Sequence, residues 1–212
     1  MTKKKCIIIG SGLGGLSCGV ILARNGYDVT VLEQHYQIGG CLQCFTRKGA
    51  KFETGMHFIG SAAPGQTLYK LMRYLNLDDI QLSQLDTLGY DVISIGGDKF
   101  KFANGRVPFI EQMSGYFPKE KDNLVLYYDI IEKIAQASSM HSLRYAENDI
   151  VVNTFYQTIS INEVLEDLFQ DKLLRDVLVG NLPLYAAEKD KTPFSQHAFI
   201  MDFYNQSAFR VV

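Results

Sequence analysis

One short stretch constrains this chain more than any other: the apolar run Cys6-Ile7-Ile8-Ile9 stops at Gly10-Ser11-Gly12-Leu13-Gly14-Gly15. A continuously apolar run of that length suits a strand in a parallel sheet covered on both faces. From Leu13 the period changes. Leu16, Val20 and Ala23 recur at helical spacing, and Gly26 supplies the left-handed stop that ends many helices. Asp28 to Leu32, rich in β-branched residues, reads as the next strand. Strand, helix and strand in this span predict a right-handed βαβ crossover with two parallel neighbours.

The turn fits G-x-G-x-x-G, and each glycine has a mechanical reason. Gly10 permits the tight turn, Gly12 lets backbone approach a pyrophosphate, and Gly15 allows the helix to pack closely. Ser11 and Gly14 lie within the same loop, whose free N–H groups and helix dipole favour an anion. Such a turn alone is weak evidence, because glycine turns also occur where a strand merely meets a helix. Here Glu33 follows at the end of the second strand, at about the twenty-residue spacing of the acid that accepts from ribose hydroxyls. A charged residue at a strand end is usually just solvated, so Glu33 draws its interest from position. A 2′-phosphate beside it would meet like charge, which makes NADP the least favoured ligand. The reading is a Rossmann-type βαβ unit that binds a dinucleotide.

Beyond Glu33 an ordinary dinucleotide fold would begin a second crossover helix. This chain instead carries Gly39, Gly40, Gly49, Gly55 and Gly60, a path that suggests backbone lying close to something. A plain NAD-binding module ranks last for that reason. Gln66 to Leu75 reads as a helix, and Tyr90 to Val107 as antiparallel strands turned at Gly96-Gly97 and Asn104-Gly105. Pro118 opens a helix with Leu124, Tyr128, Ile131 and Ala135 on one face. Ser160 and Glu163 make a capping box ahead of another helix, with Gly180 as the end of that helical region. Thr192-Pro193 starts a last helix carrying Phe194, His197, Phe199, Met201, Phe203 and Tyr204, either ordinary core or the wall of an apolar tunnel.

Composition narrows the alternatives. Lys and Arg number 21 against 23 Asp and Glu, and no basic block stands out apart from Lys3, Lys4 and Lys5, which argues against nucleic acid. No apolar run approaches bilayer length, so a cytoplasmic protein is expected, with peripheral contact to a membrane left open. Cys6 and Cys18 fall at positions expected to be buried, leaving Cys41-x-x-Cys44 as a close pair. These two thiols either exchange electrons or simply share a loop, and a zinc site would need two further ligands. No nucleophile-base order or carboxylate pair rises above chance, so no catalytic residue is assigned and no metal is expected.

The stretch from the glycine turn through Glu33 to Gly39-Gly40 resembles the FAD-binding proteins. More narrowly, Leu32-Glu33-Gln34-His35, Gly39-Gly40-Cys41 and Phe52-Glu53-Thr54-Gly55-Met56-His57-Phe58-Ile59-Gly60 are similar to the retinol saturase and carotenoid (phytoene) desaturase branch of that superfamily. His197 to Met201, Tyr204 and Ala208-Phe209 resemble the segment that leads on toward a second glycine-rich stretch in those enzymes. The resemblance implies an FAD-dependent oxidoreductase acting on carbon–carbon double bonds of an apolar polyene. Gly10, Ser11, Gly12, Gly14, Gly15, Glu33 and Gln34 would serve the ADP half, with Gly39, Gly40, Gly55, Met56 and His57 running toward the flavin. Residues 1–60 would form the FAD-binding segment, and 61–212 a mixed helix and antiparallel-strand region on the substrate side.

Members of that family are more than twice this length, so the chain is expected to be an N-terminal portion of such a protein. A separate or missing C-terminal polypeptide is an expected partner. Two other readings stay open: a truncated, non-catalytic nucleotide-binding fragment, and another FAD flavoenzyme of amine oxidase-like or disulfide-exchanging type.

Overall fold

A computed structural model describes residues 3–143 and 150–212. The chain divides into two compact units, Met1–Phe58 with Leu71–Ile80, and Ile59–Lys70 with Gln81–Val212.

In the first unit, β1 (Lys5–Ile9) and β2 (Asp28–Leu32) pair in parallel, with Cys6 opposite Val29 and Ile9 opposite Leu32. The helix between them, α1 (Leu13–Arg24), ends as the sequence requires. Tyr27 N–H donates to Leu22 C=O and Gly26 N–H to Ala23 C=O, a Schellman closure around Gly26 at φ +86°. The apolar stripe of α1 is rotated from the one expected. Gly19 is buried against Ile8, Val29 and Val31, whereas Val20 and Ala23 point to solvent. Cys18, expected to be buried, is exposed because it lies about 100° around the helix from Gly19. Cys6 is half-buried.

A second expectation also fails in part. The two strands alternate in exposure, with Ile8, Val29 and Val31 turned toward α1, while Ile7 is 67% and Ile9 88% exposed. Among the described residues only one face of this pair is covered.

No α-helix follows β2 before Phe58. A single 3₁₀ turn at Gly40–Leu42 leads into a hairpin that the sequence reading missed, β3 (Cys44–Arg47) with β4 (Ala50–Glu53). Lys48 and Gly49 both have positive φ, 51° and 80°, which is the geometry of a two-residue type I′ turn. Phe45 and Phe52 face each other across it with ring centroids 5.2 Å apart.

The second unit opens with β5 (Ile59–Gly60). Next comes α2 (Thr67–Tyr74), divided between the two units, then β6 (Leu82–Gln84) and the hairpin β7 (Asp91–Ile95) with β8 (Asp98–Phe102). The hairpin turns at Gly96-Gly97 as expected, but the strand does not continue to Val107. Gly105 N–H donates to Asn205 C=O at 2.6 Å, and Gly105 at φ +91° starts α3 (Arg106–Tyr116). Pro108 is tolerated in the first turn, where the N–H it lacks has no helical partner.

A 3₁₀ turn at Pro118–Glu120 leads into α4 (Lys121–Gln136), whose Leu124, Tyr127, Tyr128, Ile131, Ile134 and Ala135 are buried. After α5 (Ser139–Ser142) and α6 (Ile150–Thr158), Ser160 caps α7 (Ile161–Leu168). The box closes in both directions: Glu163 N–H donates to Ser160 Oγ at 3.2 Å and Ser160 N–H to Glu163 Oε2 at 2.8 Å.

Helix α8 (Lys172–Leu178) follows, with Asp171 as its cap. Gly180 sits past its end, and a Cβ there would lie 2.5 Å from Ile93 Cγ2, so close packing on β7 demands the glycine. Beyond a 3₁₀ turn at Leu182–Tyr185, α9 (Phe194–Gln206) lies against α4, and β9 (Ala208–Val211) pairs antiparallel with both β5 and β6. Phe194, Ala198 and Met201 on α9 are buried among the side chains of the helical core. Among the described residues no helix is long and apolar enough to cross a membrane.

Candidate functional site

Parallel pairing sets the site. Because Ile9 stands opposite Leu32, the next residues on each strand meet just beyond the strand ends. Gly10 N–H closes onto Leu32 C=O at 2.7 Å, and Gly10 turns the chain with φ +98°. Ser11 then points both its N–H and its hydroxyl at Glu33 Oε2, at 2.8 and 2.6 Å. Glu33 Oε1 accepts from His35 N–H at 2.9 Å. With the Ser11 hydroxyl bond as the leading cause, followed by the His35 and Ser11 amides, the carboxyl is pulled down from 4.5 to about 2. Glu33 is therefore an anion throughout the neutral range.

The other wall of the turn is the double glycine. Gly39 N–H donates to Ser11 C=O at 3.0 Å, and Gly39 bridges Gly12 in parallel register. Gly39 has φ +112° and Gly40 φ +57°; a Cβ on Gly40 would come within 3.0 Å of Gly12 Cα. The glycine turn and the double glycine are thus one packed unit, with Ser11 buried between them and Glu33. Gly15 shows the tightest constraint: its Cβ would stand 2.1 Å from Gly10 C=O oxygen.

Gly12 and Gly14 have the opposite surroundings, since a Cβ on either would meet no atom within 4 Å. Helix α1 begins at Gly12 with no side-chain cap and no acidic residue in its first turn. Its first N–H groups are left for an anion, and the open glycines leave room for one to approach.

Gln34 is exposed beside this cluster. Gly55 lies elsewhere in the same unit, where a Cβ would come 3.1 Å from Cys41 C=O oxygen, and Thr54 N–H donates to Gln43 C=O. Met56 is half-buried and His57 exposed, and neither makes a hydrogen bond to the glycine turn among the described residues. Both thiols of the Cys41-x-x-Cys44 pair are free. Cys41 is exposed, and the half-buried Cys44 lies 3.8 Å from Leu42 C=O oxygen.

The contact that sequence reasoning missed is the one between Ser11 and Glu33. The signal was present: a small hydroxyl residue one step past the first glycine, and an acid one step past the parallel strand beside it.

These features define a Rossmann-like dinucleotide fold, and residues 8–75 match the NAD(P)-binding Rossmann-like domain family. Over 98% of its length the chain is 32% identical to all-trans-retinol 13,14-reductase of Rattus norvegicus, of which it covers 37%. It is 42% identical to 4,4'-diaponeurosporene oxygenase of Staphylococcus haemolyticus, over 84% of this chain and 32% of that protein. The chain resembles the retinol saturase and carotenoid desaturase group of oxidoreductases, and it spans little more than a third of the length of the retinol reductases it matches.

Solved structures agree on the fold. Cyclohexylamine oxidase from Brevibacterium oxydans superposes with a TM-score of 0.58 at 17% identity, over 99% of this chain and 46% of that one. A putrescine oxidase gives 0.61 at 21%, over 95% and 42%.

Proposed function

We propose that this chain carries the ADP-binding side of an FAD-dependent oxidoreductase that acts on carbon–carbon double bonds of an apolar polyene. The observation that supports cofactor binding most directly is the uncapped start of α1, opened by Gly12 and Gly14, next to the ionised Glu33. Gly10, Ser11, Gly12, Gly14 and Gly15 would receive the pyrophosphate, and Glu33 with Gln34 the ribose. Each carboxylate oxygen offers two lone pairs; both Ser11 donors go to Oε2, so Oε1, which accepts from His35 N–H, is the oxygen that would take a ribose hydroxyl. Gly39 and Gly40 hold the turn in place, and Gly55, Met56 and His57 would continue toward the flavin ring.

A bound flavin would supply the electron chemistry, while the protein orients and shields it. The polyene class rests on the names of the relatives, which are retinol reductases and carotenoid oxygenases or desaturases. In this reading residues 1–60 serve the cofactor and 61–212 the substrate side. Such a substrate partitions into lipid, so peripheral contact with a membrane and completion by a C-terminal polypeptide belong to the same proposal.

The test is an absorption spectrum of the purified 212-residue chain, with mass spectrometry of any ligand released on denaturation. A flavin spectrum with FAD released is the expected result, followed by turnover of a polyene. A colourless protein that fails to take up added FAD overturns the cofactor assignment. Turnover of an amine or a dithiol in place of a polyene overturns the substrate class.

A further inference from the structure

A cleft of about 590 Å³ lies within the second unit, where α3 gives way to α4. That volume is in the range of small-molecule sites. Tyr116, Phe117 and Pro118 give it an apolar, aromatic wall, and Glu120 and Asn123 give it a polar one. Glu120 is 4% exposed. Its Oε1 accepts from the backbone N–H groups of Gln170 and Asp171, at 2.8 and 2.7 Å, and its Oε2 from Asn123 Nδ2 at 2.7 Å.

All three donors are neutral, and among the described residues no cationic group forms an ion pair with Glu120. Lys119 also borders the cleft, but its side chain is exposed. A buried carboxylate is normally matched by a cation or fully enclosed by donors. Here both lone pairs of Oε1 are filled, Oε2 has one donor, and the carboxylate borders open space. Asp171 adds a second acid at the edge, using Oδ1 to cap α8, and among the described residues its Oδ2 has no protein donor.

We propose that this cleft binds a small organic cation, an ammonium or guanidinium group carried on an apolar or aromatic body. Glu120 Oε2 and Asp171 would accept its N–H groups in charge-assisted hydrogen bonds. The rings of Tyr116 and Phe117 would pack against its body and favour its positive charge through their faces. The cleft shares no residue with the dinucleotide turn, so the test below does not rest on the cofactor assignment.

Benzylammonium is the probe, titrated into the ¹⁵N-labelled 212-residue chain with benzyl alcohol as its neutral counterpart. Saturable shifts at the amides of Gln170 and Asp171 and at the Asn123 side chain are expected at about millimolar concentration, with benzyl alcohol inert. E120Q keeps an acceptor for the two backbone donors and removes the charge, and it should weaken binding about tenfold or more. Tyr116→Leu leaves the Glu120 clamp untouched and should weaken binding several-fold, which keeps the test decisive if E120Q does not fold. Equal binding of benzyl alcohol, unchanged affinity in both variants, or the same shifts produced by calcium ion alone would each overturn the proposal.

Discussion

The hydroxyl of Ser11 donates to Glu33 Oε2 at 2.6 Å, joining the glycine turn to the end of the neighbouring strand through a single carboxylate. The acid holds the turn, and in the proposed function it would also accept from a ribose hydroxyl through Oε1. The two jobs separate experimentally. Wild-type protein should bind ADP about tenfold more tightly than 2′,3′-dideoxy-ADP, a factor typical of one charge-assisted hydrogen bond. Glu33→Gln should lose that discrimination. Ser11→Ala, which frees an oxygen on Glu33, should keep it. Calorimetric titration of the three proteins with both ligands decides; equal discrimination in Glu33→Gln would reduce the acid to a structural anchor.

Acid should release the same tether. The Glu33 carboxyl is held at about 2 in the folded chain against 4.5 ordinarily. A depressed carboxyl contributes stability that is present above the unfolded value and lost as pH falls toward the folded one. The window is therefore pH 4.5 down to about 2. The amide resonance of Ser11 should follow a single protonation near the lower end of that window. Titration near pH 4.5 would show that the Ser11 bonds do not persist in solution.

Much of this site was legible in the sequence because its constraints are local. A turn that must bend at Gly10, pack at Gly15 and present bare backbone at Gly12 leaves little choice of residue, and Glu33 is placed by strand length alone. The helix caps at Gly26 and at Ser160 with Glu163 were legible for the same reason. What escaped depends on contacts distant in sequence. Val107 has strand propensity, yet it lies in the first turn of α3, whose cap Gly105 is fixed by its N–H bond to Asn205 C=O, 100 residues away in the chain. The stripe on α1 shifted because glycines at 15 and 19, which periodicity counts as blanks, are the residues that let the helix approach the sheet. The hairpin at Lys48-Gly49 was hidden because its strands are short and rich in polar residues.

The two glycines of the turn should respond in opposite ways to one added methyl group. Gly15→Ala places a Cβ 2.1 Å from a backbone oxygen, so the turn itself must open; a loss of at least about 2 kcal/mol is expected. Gly14→Ala meets nothing and lies within α1, where alanine is the better helix former, so stability should hold or rise by up to about 1 kcal/mol. Urea unfolding of the two variants measures both. Equal losses would mean that the approach of Gly15 to Gly10 is looser than described.

The helical core carries its own pH signature at His197. This ring is fully buried, with Nε2 2.8 Å from the Tyr127 hydroxyl and Nδ1 2.9 Å from that of Tyr185. A neutral imidazole has one N–H and one lone pair, so one tyrosine donates to the ring and the other accepts from it. Burial, the sole cause, pushes the ring from 6.5 down to about 3. The sign of the linkage follows. Above pH 6.5 the ring is neutral folded or unfolded and contributes no pH dependence. Between 6.5 and about 3 the unfolded chain binds a proton that the folded chain refuses, so stability falls with pH by about 1.4 kcal/mol per unit from this group alone. His197→Gln retains a donor and an acceptor but cannot titrate. It should cost stability at pH 7 through imperfect packing, yet lose less than wild type on going to pH 4. Urea unfolding of both proteins at a series of pH values from 7 to 4 tests this, and parallel curves would show that His197 is protonated inside the core.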